Sequence, residues 1–391
     1  MIDFRLPERV EEFRAEVREF VEEHIDDGMA ERIYRSGVSH DPDFSRALAA
    51  RGWVAPNWPV EYGGQALDPM MMMALYEELR LAAAPVYGVG TTTLTAGTIR
   101  EVGTEAQKRE ILPKALAGEI IIVMGYTEPE CGSDVAAAQT RAVRDGDDWV
   151  INGSKMFTTN AQIGDYVFLL TRTNTEVPKH KGLTMFLVPM DQPGVEIQAV
   201  YTLSGERTNI TYYNDVRVSD EWRVGEVDGG WATMAVALGL EHGASFAFSL
   251  RKQCEAAQRW ANAAVDDHGV SRAEDPAVQA EIGRTAADAE IALLMLRRSQ
   301  WVAAEPSVPS TGAEGPMSKL LSSEMLEQRT EAMAALMGPD GLRSYFDPTA
   351  PVHGELEHNV RHALGTTIYA GTSEMHRNMI ALRHLGLPRS R

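Results

Sequence analysis

Cysteine is almost missing from this chain: only Cys131 and Cys254 occur in 391 residues. That excludes a disulfide framework and a cysteine-rich zinc site, and it fits a reducing compartment. Long apolar runs are missing too. None approaches the roughly 20 residues needed to cross a bilayer, and the opening MIDFRLPERVEEFRAEV is too charged for a secretory h-region, so a cytoplasmic protein with no membrane partner is expected. Positive charge is scarce: 37 basic residues face 56 acidic ones, a net charge of −19 that repels phosphate backbones and anionic lipids and argues against nucleic-acid binding. Lysine occurs only at positions 108, 114, 155, 179, 181, 252 and 319. The ten histidines are scattered, and only His358 and His362 stand at i, i+4 spacing. Without the Glu or third His of an HExxH pattern they read as an exposed basic face, and no metal is expected.

What is present is the composition of an ordinary globular protein, with 44% hydrophobic and 24% charged residues and a length that suggests two or three domains. From Pro7 to about Gly118 the period is helical, with Val10, Phe13, Val17, Phe20 and Val21 on one stripe. The Met70 to Met73 run reads as core filling. The breaker-rich loop Asn57 to Gly64 is of the kind that lines pockets. Near Glu119 short β-rich runs begin: Ile120 to Met124, Trp149 to Ile151, Tyr166 to Thr171, Thr184 to Val188, Val195 to Val200 and Ile210 to Val218, divided by turn residues as in a mainly antiparallel β domain. From Gly230 the helical period returns, through the apolar stretch Trp231 to Leu250 and the segment Pro276 to Ala304, with a loop over Glu305 to Gly315. The expected division is a helical domain over 1–122, a β domain over 123–228 and a helical domain over 229–391, an α+β chain.

Three short segments carry chemistry. Gly125-Tyr126-Thr127-Glu128-Pro129-Glu130-Cys131-Gly132-Ser133-Asp134 leaves a β run for a turn whose backbone N–H groups and hydroxyls could form a nest for an electron-rich ligand. Ile151-Asn152-Gly153-Ser154-Lys155-Met156-Phe157-Thr158-Thr159-Asn160-Ala161 opens on Asn-Gly, a type I′ hairpin signal, and then places Phe157 and Thr159 on one strand face by period 2. Ile368-Tyr369-Ala370-Gly371-Thr372-Ser373-Glu374-Met375 is a glycine-interrupted turn with helix-capping residues, a candidate anion or cofactor contact. Each alone could be only a turn.

Together and in this order they resemble the acyl-CoA dehydrogenase family. The likeness extends to Trp58-Pro59-Val60-Glu61-Tyr62-Gly63-Gly64, to the helix start Gly103-Thr104-Glu105-Ala106-Gln107-Lys108 and to Leu112-Pro113, and so covers nearly the whole chain. The resemblance implies an N-terminal helical domain, a central β domain and a C-terminal four-helix bundle, with FAD between the last two. By motif, Met124, Tyr126, Thr127, Gly132 and Ser133 would bind the flavin, Phe157 would cover its ring where the family usually has Trp, and Thr159 would hydrogen-bond near N5. Gly371, Thr372 and Glu374 would complete the site. The family's substrates are acyl-CoA thioesters, and its usual electron acceptor is an electron-transfer flavoprotein or a similar carrier.

Beyond Phe157, the chain departs from the family at three places. Many members carry the catalytic base as Glu immediately before Gly-Thr, where this chain has Ala370. Some relatives place the base instead on the first long helix after the β domain, and there Glu241 is the only acidic residue between Trp231 and Leu250. Glu374 is the competitor for that role. The family's Arg-x-x-Phe-Gly motif is replaced by Asp266-Asp267-His268-Gly269-Val270-Ser271-Arg272, and its Gly-Gly-x-Gly by Met337-Gly338-Pro339-Asp340-Gly341-Leu342. Bacterial relatives acting on steroid side-chain thioesters pair two unlike subunits, so the resemblance implies a second dehydrogenase-like partner in an α2β2 tetramer. A catalytically silent partner subunit and a flavin oxidase or monooxygenase are the alternative readings.

Overall fold

The structure, a computed structural model, describes residues 7–26, 28–241, 245–305 and 307–388, with the backbone alone at positions 240, 241 and 304. Six helices come first: α1 (Glu8–His24), α2 (Met29–Ser36), α3 (Pro42–Ala50), α4 (Pro69–Leu81), α5 (Tyr87–Val102) and α6 (Glu105–Leu116). Eight strands follow: β1 (Ile122–Gly125), β2 (Arg141–Asp145), β3 (Asp148–Lys155), β4 (Tyr166–Arg172), β5 (Leu183–Pro189), β6 (Val195–Tyr201), β7 (Arg207–Ser219) and β8 (Arg223–Val224). Then come α7 (Gly230–Glu241), α8 (Ala247–Ala263), α9 (Pro276–Ala304), α10 (Glu314–Met337), α11 (Glu355–Thr366) and α12 (Ser373–Arg383). Among the described residues no helix is long and apolar enough to cross a membrane.

The contacts divide the chain into two compact units. One comprises Phe20–Leu67 and Ala83–Glu241 and carries the sheet; the other comprises Met1–Glu19, Asp68–Ala82 and His242–Arg391 and is helical. In the sheet-bearing unit the strands run in the order β6-β7-β3-β2-β4-β5-β8, with β1 paired to β4. Only the β1–β4 ladder and the single β2–β4 pair are parallel, so the sheet is mainly antiparallel. The β4 and β5 strands are buried on both faces, which explains the apolar runs Val167 to Leu170 and Met185 to Val188 within them. One face packs on helices through Ile99, Ile111, Phe168, Leu187 and Met234, the other on Trp149, Val167, Phe186 and Tyr213. The α6 start is a capping box: Gln107 N–H donates to the Thr104 hydroxyl, and the Gln107 side chain accepts from Thr104 N–H.

In the helical unit, α1 buries Val10, Phe13 and Val17 of the expected stripe, and Met72 and Met73 of α4 are core residues. Phe246, Leu250, Leu293, Leu296 and Leu326 form one cluster, and Trp260, Val278, Met333 and Leu356 another. The segment Trp231 to Leu250 is not one continuous helix: α7 ends at Glu241 and α8 starts at Ala247.

Two local expectations are overturned. Asn152-Gly153 is not a hairpin turn; it lies inside β3, where the β3–β7 register shifts between Ile151 and Gly153 as a bulge. Gly153 has φ of +148°, and a Cβ there would sit 2.7 Å from Thr140 Cα, so glycine is required by close backbone approach and not by a turn. The β2–β3 hairpin closes one step earlier, at Gly146. Because β3 ends at Lys155, Phe157 and Thr159 belong to the following turn rather than to a strand face.

Candidate functional site

In the sheet-bearing unit the candidate residues gather on two turns joined by one buried ion pair. Lys155, the last residue of β3, is fully buried, and its Nζ lies 2.8 Å from Glu128 Oε1 while donating to the Tyr126 carbonyl at 3.1 Å. Glu128 also accepts the backbone N–H of Gln139 at 2.6 Å and of Thr140 at 2.8 Å. Burial by itself would raise the Glu128 carboxyl, but the Lys155 ammonium and the two N–H donors hold it below its usual range. Met156 N–H donates to the Thr127 carbonyl at 2.8 Å, so the turn 126–133 is locked on β3. Met124, Tyr126 and Thr127 come out half-buried at its base, and Gly132 and Ser133 are exposed at its tip. A Cβ on Gly132 would meet nothing within 4 Å.

The second turn is pinned on β7. Thr158 N–H donates to the Asn209 carbonyl, and the Asn209 amide returns a hydrogen bond to the Thr158 carbonyl at 3.0 Å. This holds Phe157 in left-handed backbone (φ +59°) with its ring 56% exposed. A bulky non-glycine residue at positive φ is strained, and the exposed ring marks the spot as more than packing. Thr159 is half-buried, with its hydroxyl 3.0 Å from that of Thr208. Asn160, also at positive φ, is buried with neither amide atom partnered among the described residues.

In the helical unit the candidates lie between α11 and α12. Ala370 (φ +53°) and Gly371 (φ +87°) are consecutive left-handed residues. Thr372 caps α12, its hydroxyl accepting from Met375 N–H at 3.2 Å. Glu374 is exposed on the first turn of α12, and its carboxyl is held below its usual range by its own backbone N–H and by Thr372. Thr372, Ser373, Glu374 and Arg377 line a groove of about 460 Å³ together with Glu324 and Glu327 of α10. The Ser373 hydroxyl is buried there without a partner among the described residues. Lys319 of α10, 1% exposed, donates to the Gly371 carbonyl at 2.7 Å, and burial pushes its amine down to about 8.

Glu241 is the last residue of α7, and its side chain lies outside the described residues. The loop that replaces Arg-x-x-Phe-Gly folds on Asp266, which accepts the N–H groups of His268 and Val270. Its arginine, Arg272, is engaged internally with Asp275 at 3.1 Å, the Leu336 carbonyl at 2.9 Å and the face of Trp260. His358 and His362 stack at 6.0 Å, and among the described residues no group of three or more His, Cys, Asp or Glu could hold a metal. The Glu61 to Gly63 loop and α6 line a groove of about 430 Å³.

A flavin suits these turns. In the sheet-bearing unit the exposed ring at Phe157, the open space over Gly132 and the buried amide of Asn160, unpartnered among the described residues, are the flat surface and spare polar atoms that such a group would use. Glu128 and Lys155 stand in two of the motifs, but nothing in the sequence pairs them, and Lys319 and His376 belong to no motif. The available signal was a lysine in a chain with few of them, placed among small residues.

The chain matches the family models for the acyl-CoA dehydrogenase N-terminal domain over residues 7–119, middle domain over 123–216 and C-terminal domain over 228–385. It is 35% identical to acyl-CoA dehydrogenase FadE26 of Mycobacterium tuberculosis, covering 92% of this chain and 89% of that protein. It is 33% identical to acyl-CoA dehydrogenase IpdE1 of the same organism, covering 97% and 98%. Among solved structures it is similar to the Tcur3481-Tcur3483 steroid ACAD, with a TM-score of 0.90, 33% identity and 100% coverage of both chains. The ChsE4-ChsE5 complex from Mycobacterium tuberculosis follows at a TM-score of 0.89 and 32% identity, again with 100% coverage of both.

Proposed function

Given that this chain belongs to the acyl-CoA dehydrogenase family, flavoprotein oxidoreductases acting on CH–CH groups, we propose that it carries out FAD-dependent α,β-dehydrogenation of a bulky, branched or steroid side-chain acyl-CoA, with Glu241 as base. The observation that carries the reading is Ala370: the position before Gly-Thr holds a methyl group in left-handed backbone, so the proton acceptor comes from elsewhere in the chain. Glu374 is a poor acceptor, because the α12 N-terminus lowers its basicity. Glu241, the last residue of α7, is the only acidic residue of the sequence between Trp231 and Leu250.

Met124, Tyr126, Thr127, Gly132, Ser133, Phe157, Thr159, Gly371, Thr372 and Glu374 are the residues that would bind the flavin. Bound flavin supplies a hydride acceptor at N5. Glu241 removes the α-proton, and the turn at Ala370 and Gly371 offers N–H groups to the thioester oxygen as charge develops there. An electron-transfer flavoprotein or similar carrier takes the electrons onward. The domain division 1–122, 123–228 and 229–391 is part of the same reading.

The assembly is an α2β2 tetramer with an unlike dehydrogenase-like subunit. Two of the similar solved structures are named as pairs, one of them a steroid ACAD, which supports both the partner and the substrate class. The internal use of Arg272 points the same way, since a guanidinium held by Asp275 and Leu336 is not available to a neighbour's diphosphate. A second reading, a catalytically silent partner subunit, is favoured by Ala370 alone.

Glu241→Gln keeps shape and removes basicity. With flavin and thioester binding intact, the rate of flavin reduction should fall by ~10²–10⁴, the usual range for a lost general base. Bleaching of the flavin at the wild-type rate would give the base role to Glu374 or to the partner.

A further inference from the structure

The turn between α11 and α12 has an unusual hydrogen-bond balance. Its two consecutive left-handed residues have their carbonyls taken by buried side chains: His376 Nε2 lies 3.0 Å from the Ala370 oxygen, and Lys319 Nζ lies 2.7 Å from the Gly371 oxygen. Both side chains are almost fully buried, at 4% and 1% exposure. On the donor side, the N–H groups of Ala370, Gly371 and Thr372 have no acceptor among the described residues, whereas the N–H groups of Tyr369 and Ser373 on either side bond to Gly365 and Thr367. Gly371 itself is exposed.

Holding a peptide's carbonyl inward turns the N–H of the same plane outward, because the two point in opposite directions across a planar trans unit. Two successive peptides held this way give adjacent N–H groups that converge on one oxygen. A left-handed alanine costs about 1–2 kcal/mol relative to its ordinary conformations, so such a turn needs outside support. Lys319 and His376 supply it from two different helices.

We propose that Lys319 and His376 are positioning residues that brace the Ala370–Gly371 turn, carbonyls inward, so that the N–H groups of Gly371 and Thr372 in the same two peptides form a preset donor pair for the thioester oxygen. The proposal rests on the dehydrogenase reading above for the identity of that oxygen. An ammonium donates about twice as strongly as a neutral amine, so the brace weakens as Lys319 loses its proton. The charged groups facing that amine are Glu324 on its own helix and Glu374 on α12, and both favour retention of the proton.

The test uses the flavin-loaded protein, co-expressed with its partner where one is needed, in three variants: Lys319→Met, His376→Leu and His376→Gln. Amide exchange of the 366–374 segment is read by mass spectrometry, and the carbonyl stretch of bound [1-¹³C]octanoyl-CoA by infrared difference spectroscopy. Lys319→Met should speed exchange in the segment by about tenfold or more, the effect of one lost hydrogen bond, and move the carbonyl stretch toward its free value. His376→Leu should do the same, and His376→Gln, which restores a donor, should recover most of it. That rescue separates bracing from bulk stability and decides the matter should Lys319→Met not fold. Wild-type exchange and an unshifted carbonyl in both Lys319→Met and His376→Leu would overturn the proposal. If wild-type protein binds no octanoyl-CoA but the turn still loosens in the variants, bracing stands and the thioester assignment is what falls.

Discussion

Two lysines of this chain are fully buried, and each holds a turn of the candidate site, but they do so on opposite electrostatic terms. In the sheet-bearing unit Lys155 meets the Glu128 carboxylate at 2.8 Å, and the carboxylate is further satisfied by two backbone N–H groups. In the helical unit Lys319 is given, among the described residues, only the Gly371 carbonyl, with Glu324 and Glu374 acting through space. The first is a closed set of charges in which every partner is present. The second is an ammonium desolvated for the sake of one carbonyl, so its proton is loosely held. Burial lowers both amines, but at Lys155 a carboxylate in direct contact opposes the shift, whereas at Lys319 only Glu324 and Glu374 oppose it through space.

Breaking the pair should give the largest effect. Lys155→Met leaves the Glu128 carboxylate buried without its cation and should cost about 3–5 kcal/mol in urea unfolding, with loss of bound flavin as the 126–133 turn loosens. Adding Glu128→Gln should recover part of the loss, since it removes the unpaired buried charge, while the single amide oxygen keeps only one of the two acceptor positions that Gln139 and Thr140 use on different carboxylate oxygens. Additive costs in the double variant would mean the two side chains do not act as a pair.

The pH response sharpens the contrast. The Lys319 amine sits at about 8 in the folded protein against 10.5 in an unfolded chain. Between those values the unfolded chain binds the extra proton, so the stability of wild-type protein relative to Lys319→Met should rise with pH from about 8 to about 10.5, by up to about 3 kcal/mol. Urea midpoints of the two proteins at pH 7 and pH 10 check this, and a wild-type stability that stays level or falls relative to Lys319→Met as pH rises would refute the single-cation picture.

A partly exposed pair supplies the smallest effect. The Asp220 carboxylate accepts from Trp149 Nε1 at 2.7 Å and from Arg223 at 2.9 and 3.1 Å, and Arg223 first and Trp149 second pull it down to about 2. Asp220→Asn should cost about 1 kcal/mol at neutral pH. The difference from wild type should vanish as acid carries the pH from about 4 down through about 2, which Trp149 fluorescence in an acid titration would follow.

Much of this was readable in advance. The stripe Val10, Phe13, Val17 and Phe20 gave α1 because apolar spacing of three and four has one structural solution, and the Thr104–Gln107 capping box began α6 where it was expected. The Asn152-Gly153 reading failed because a hairpin signal is local, while the need for glycine there comes from Thr140 on the neighbouring strand. Phe157 and Thr159 were given to a strand face but lie in the turn after it, since the end of β3 at Lys155 depends on its pairing with β7.

By itself the sequence determined the α+β order, the family and the departures that matter, Ala370 and the lost Arg-x-x-Phe-Gly, because these are matters of residue identity at positions set by motifs along the chain. Only the tertiary structure decided which buried groups meet. Lys155 and Glu128 are 27 residues apart, and Lys319 and Gly371 are 52 apart. No local pattern specifies such pairs, because the free energy of a buried charge depends on everything that replaces its water, and those groups come from whichever segments the packing brings together.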